Sequence, residues 1–92
     1  MKYIIKNTMT GEYLRSGNLF FVWTNDIYFA KVFKGIKSAQ NNINDIEQHC
    51  KTMGQYYGEG DKKEYYYVDL HNNKTLLSKI KIMGVELKEF EI

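Results

Sequence analysis

The stretch GIKSAQNNINDIEQHCKTMG, residues 35–54, decides how the rest of the chain must be arranged. Ile36, Ala39, Ile43, Ile46, Cys50 and Met53 recur at spacings of 3, 4, 3, 4 and 3. That period puts all six on one face of an α-helix. Gly35 opens the segment, and Gly54 closes it where a left-handed residue commonly ends a helix. Asn41, Asn42, Asn44, Glu47, Gln48 and Lys51 form the wet face. A helix with one apolar stripe has to lay it on another element, and the flanking sequence offers strands.

On the N-terminal side, KYIIK (2–6), EYLR (12–15) and LFFVW (19–23) read as three short strands. Asn7, Thr10 and Gly11 supply the first turn and Ser16-Gly17-Asn18 the second. Thr24 is placed to cap a short helix running to about Lys31, with Asp26 in its first turn. Trp23 and Tyr28 have the spacing of a hydrophobic staple around that cap. On the C-terminal side, 55–63 reads as a glycine-bearing loop and EYYYVDL (64–70) as a strand. HNNK (71–74) reads as a hairpin turn and TLLSKIKI (75–82) as a strand whose apolar spacing also suits a helix. Met83-Gly84 turns the chain, and 85–92 is a last strand with a bulge at Lys88-Glu89. The order βββ-α-α-βββ predicts one α+β domain over residues 1–92. Its antiparallel sheet carries the long helix on one face.

The pattern K-Y-x-I-x-N-x-x-T-G-x-Y-L, then W-T-x-D-x-x-x-A-K-x-F, then a capped helix covers about residues 2–50. It resembles a module of small phage and prophage proteins. The resemblance implies structural roles: Gly11 for the turn, Thr24 and Asp26 for the cap, and Trp23, Ala30 and Phe33 for the core. It also implies a function by analogy of size and source, namely binding a host protein, including defence systems such as CRISPR effectors. The absence of Pro, with Arg15 as the only Arg against twelve Lys, fits an AT-rich gene of that origin.

Net charge is +2, distributed as +4 over residues 1–37, −3 over 38–73 and +1 over 74–92. A nucleic-acid binder usually carries a larger basic excess. Cys50 is the only cysteine, so no disulfide forms within the chain. No apolar run reaches the roughly 20 residues of a bilayer span. The expectation is a protein of the host cytoplasm with no membrane partner.

Catalytic and metal motifs are absent at this level, and no cofactor is expected. Cys50 falls on the apolar stripe and His49 points about 100° away on the same helix, which does not make a nucleophile and its base. Asp45 and His49 share a helix face, but a metal wants three or four such groups, even with His71 across a turn. Gly58-Glu59-Gly60-Asp61 is acidic and precedes a strand, the reverse of a phosphate loop. Glu86, Glu89 and Glu91 read as a charged edge strand.

QYYGEGDKKEYYY (55–67) concentrates five of the eight tyrosines. A strand has two faces, so Tyr65 and Tyr67 cannot share a core with Tyr66. Tyr56 and Tyr57 lie in the expected loop. Tyrosine among glycine and polar residues is the composition of binding loops. The expected protein-binding surface is therefore Tyr56, Tyr57, Tyr65 and Tyr67, rimmed by Glu59, Asp61, Lys62 and Lys63. Its partner is a host protein or a second copy of the chain. The rival expectation is nucleic-acid binding through the basic, aromatic N-terminal meander: Lys2, Lys6, Tyr13, Arg15, Phe20, Lys31 and Lys34.

Overall fold

Strand β1, Lys2–Asn7, is the central strand around which the other elements assemble. Its β-branched pair Ile4 and Ile5 point to opposite faces, and both are fully buried. The computed structural model describes residues 1–15, 22–68 and 72–86. β2 (Glu12–Leu14) and β3 (Trp23–Thr24) continue the antiparallel meander from β1. Helix α1 spans Ile36–Thr52. β4 (Tyr56–Tyr57), β5 (Glu64–Val68) and β6 (Lys74–Leu76) follow it. β7, Ile80–Val85, returns to pair antiparallel with the whole of β1.

The protein is α+β, with antiparallel sheets and one long helix. The strands divide between two sheets, ordered β3-β2-β1-β7 and β4-β5-β6. Two expectations for the C-terminal half change as a result. Residues 75–82 are neither one strand nor a helix: β6 ends at Leu76, a 3-10 turn covers Leu77–Lys79, and β7 begins at Ile80. That turn lets the chain pass from one sheet to the other. Met83-Gly84 does not reverse the chain but lies inside β7, where Gly84 pairs with Tyr3 and Met83 with Ile4. The expected strand at 85–92 and its bulge lie outside the described residues beyond Glu86, as do Leu19–Phe21 of the third expected strand.

α1 carries the expected stripe on the expected residues. Ala39, Ile46 and Cys50 are fully buried and Ile43 packs against them, while Ile36 and Met53 at the two ends stay exposed. Full burial of one side chain of isoleucine size contributes about 1.5–3 kcal/mol. The helix ends where Gly54 takes a φ of +66°. The Gln55 N–H then donates to the Cys50 carbonyl at 2.9 Å and the Gly54 N–H to Lys51 at 3.2 Å, a Schellman cap. α1 packs on β1, β7 and β5, so one core joins both sheets.

The short helix after β3 differs from expectation. Asp26, not Thr24, is its cap: the Asp26 carboxylate accepts from the Tyr28 N–H at 3.0 Å, and only the 3-10 turn Ile27–Phe29 forms. The Thr24 hydroxyl instead accepts from the Asp26 N–H at 3.1 Å. Trp23 does not staple Tyr28. It stacks on Tyr67 with centroids 6.0 Å apart, leaving Tyr28 exposed. Beyond the turn, Ala30 and Phe33 are buried, and Phe33 exchanges backbone hydrogen bonds with Tyr3.

A buried polar pair ties the two sheets together. Asn7 at the end of β1 donates from Nδ2 to the Thr75 hydroxyl on β6 at 3.1 Å, and both residues are almost fully buried. Thr75→Val keeps the shape and removes the acceptor. We expect a loss of about 1–3 kcal/mol, read by urea unfolding, because a buried donor left unpaired retains its full desolvation cost.

Candidate functional site

The tyrosine-rich segment forms a braced two-strand ribbon rather than a loop. Tyr56 pairs with Tyr65 and Tyr57 with Glu64, so β4 is an edge strand of the smaller sheet. The connection is a tight one. Gly58 takes φ +89°, and a 3-10 turn over Gly60–Lys62 leads back into β5.

Alternation sorts the rings onto two faces. Tyr65 and Tyr67 turn toward α1. Tyr67 is 1% exposed and belongs to the main core, and Tyr65 packs against that core. The expectation that Tyr67 lies on a contact surface is therefore corrected: Trp23 covers its ring, and Ile5, Cys50 and Ile80 are in the same cluster. The alternation holds, but the side that meets the core is that of Tyr65 and Tyr67, not that of Tyr66. Tyr66 is half-buried on the opposite side, stacked on Tyr57 at 5.4 Å.

What remains accessible is one ring on each side of the edge strand, each backed by a second. Tyr56 is 45% exposed and meets Tyr65 edge-on at 6.0 Å; Tyr57 is 47% exposed and lies on Tyr66. Lysines clasp both pairs. Lys63 Nζ sits 3.8 Å from the Tyr56 centroid and 5.7 Å from that of Tyr65, where Lys51 also approaches at 5.5 Å. Lys74 lies 5.0 Å from the centroid of Tyr66. Such contacts contribute about 0.5–1 kcal/mol each at exposed sites and hold the rings in place. Lys51 and Lys74, like the role of Tyr66, were not legible as parts of the site, because only the register brings them to these rings.

The rim behaves as expected in exposure: Glu59, Asp61, Lys62 and Lys63 are all exposed. Their charges cancel, and Glu64 next to them accepts a hydrogen bond from the Ser78 hydroxyl at 3.0 Å. This is a balanced rim, without the concentrated negative charge that imitates nucleic acid.

The residues of the rival reading divide. Lys6 pairs with Tyr13 across β1 and β2, its ammonium 5.6 Å from the ring centroid. Lys2 is on the same face by alternation, and Arg15 joins through its bridge to Ala30, which packs beside Ile4. Lys31 does not join them; its ammonium lies over Phe33, a member of the main core. Lys34 is exposed beyond the strands, and Phe20 lies outside the described residues.

Cys50 is buried on the inner face of α1, and burial pushes its thiol above the usual range. Among the described residues, no group of three or more His, Cys, Asp or Glu side chains is placed to hold a metal. No helix among them is long and apolar enough to cross a membrane. In comparisons with known proteins, the chain matches no family model, no curated protein and no solved structure.

Proposed function

We propose that this chain is a small binding protein of phage or mobile-element type that engages and inhibits a host protein in the cytoplasm, without catalysis of its own. The observation that carries this reading is the pair Tyr56 and Tyr57. Two large rings stand about half-exposed on opposite sides of a two-residue edge strand, each backed by another tyrosine, with one lysine over Tyr56 and another over Tyr66. Folding alone gains little from such rings. A preorganised tyrosine gives a partner a large contact area at small entropic cost, and tyrosine is enriched among residues that dominate binding energy. The balanced charge of the rim favours packing of the rings into a protein pocket over acidic mimicry of nucleic acid. A defence or regulatory protein is the most specific form of the proposal, and it rests on the analogy of size and source.

The test compares the wild type with Tyr56→Ser/Tyr57→Ser as baits in host lysate, with captured proteins identified by mass spectrometry. Stability of the double variant should fall by only about 1–2 kcal/mol, the sum of two exposed cross-strand pairs. Affinity for the captured partner should fall roughly 30-fold per ring if the rings are hot spots. A folded double variant that retains the same partner with the same affinity ends this reading. Sedimentation of the purified protein separates self-association from capture of a host protein.

A further inference from the structure

We infer that the Lys81, Lys6 and Tyr13 end of the larger sheet's face turned away from α1 is a binding site for single-stranded nucleic acid, separate from the tyrosine ribbon; further along that face Ile4 and Val85 are buried with Ala30. Register assembles this face. Lys6 of β1 stands opposite Lys81 of β7 on one side and Tyr13 of β2 on the other, and Tyr13 stands opposite Thr24 of β3. One row across all four strands thus reads Lys81, Lys6, Tyr13, Thr24. Lys2 follows four residues before Lys6 on the same face, opposite Val85.

Two like charges directly opposed on neighbouring strands destabilise a sheet. No acid relieves Lys6 and Lys81 from within these strands. Glu12 is the only acidic residue among the described residues of β1, β2, β3 and β7, and it pairs with Asn7, which points to the core side. The pair thus offers an anion two cations that these strands leave uncompensated, Lys81 exposed and the Lys6 ammonium beside the Tyr13 ring.

The neighbouring rings narrow the choice of anion. Past Tyr13, the Arg15 guanidinium lies 5.3 Å from the centroid of Phe29, which is 54% exposed, and Tyr28 beside it is 58% exposed. A row of cations continued by an exposed cation-covered ring suits a strand whose phosphates and unpaired bases alternate. An acidic protein segment would use the lysines and leave the rings idle. A duplex would hold its bases out of reach.

The test is fluorescence anisotropy of the full-length protein with a labelled oligothymidylate of about 15 nucleotides. Neutralising four phosphates through Lys2, Lys6, Arg15 and Lys81 predicts an affinity loss of roughly 50-fold between about 50 and 200 mM salt, from a slope of about −0.7 per contact. Lys81→Glu should cut that loss to roughly 20-fold and weaken binding at low salt. The same substitution should raise Tm, because it sets an opposite charge against Lys6. A variant that is more stable yet binds less cannot be explained by misfolding. Phe29→Ser should weaken the oligothymidylate while leaving the salt slope in place, and Tyr56→Ser/Tyr57→Ser should leave this binding intact. The inference is overturned by oligothymidylate affinity that ignores Lys81→Glu, or by no binding at low salt. It is also overturned if poly-glutamate or a duplex of equal charge binds as tightly.

Discussion

Tyr67→Ala should lower the stability of this protein by about 3–5 kcal/mol, the usual cost of deleting a buried aromatic side chain. The ring is almost fully enclosed, with Trp23 stacked on it and the core side chains of β1, α1 and β7 in the same cluster. It also links the two sheets, since β5 belongs to the smaller one and Trp23 to the larger. In a domain of this size each kcal/mol lowers Tm by about 4–8 °C, so thermal denaturation followed by circular dichroism should register a large shift. Tyr56→Ser/Tyr57→Ser, a few residues earlier, should move Tm far less. An equal effect at both sites would mean that the exposed pair is structural and would remove the basis for a contact surface there. Tyr67 must therefore stay out of any binding screen, because its loss would abolish binding by unfolding.

Gly58→Ala is expected to dismantle the tyrosine ribbon. A Cβ at this position would lie 2.2 Å from the Lys62 carbonyl oxygen and 2.9 Å from its carbon, both backbone atoms. The backbone there also holds φ at +89°, which costs a residue with a Cβ about 1–2 kcal/mol before any collision. No rotamer change relieves contact with main chain, so the turn has to open. Opening it separates β4 from β5 and withdraws Lys63 from Tyr56. Gly60→Ala is the control: its φ is +58°, but a Cβ there meets nothing within 4 Å. It should show the conformational cost alone. Amide exchange at Tyr56, Tyr57 and Tyr65 should accelerate strongly in Gly58→Ala and only mildly in Gly60→Ala. If the two variants exchange alike, the turn yields easily and the ribbon is not preorganised. Partner affinity should follow the same order.

How far the sequence predicted these features depended on whether a signal was local. α1 was legible almost to the residue because its evidence lies within 20 consecutive positions: the stripe, the wet face and Gly54. The α+β class followed from that helix and its short flanking strands. The division into two sheets was not legible, because it depends on a 3-10 turn at Leu77–Lys79 inside a run whose spacing satisfies either a strand or a helix. The tyrosine segment shows the same limit. Alternation correctly separated Tyr65 and Tyr67 from Tyr66, but period alone does not say which side meets the core. Placing Tyr67 inside requires knowing that Trp23, more than forty residues earlier, returns to cover it. Lys81 escaped the basic set for the same reason, since it reaches Lys6 only through the pairing of β1 with β7.

That pairing also bears on how the protein comes into being. Ile5 stands opposite Ile82, so 77 further residues (82 − 5) must be made after it before one whole flank of the central strand finds its mate. A nascent chain emerging from the ribosome has the β1–β2 hairpin and α1 early, but they enclose only part of an interior. Closing so long a loop is an entropic cost met in a single late step, taken only once β7 has left the ribosome.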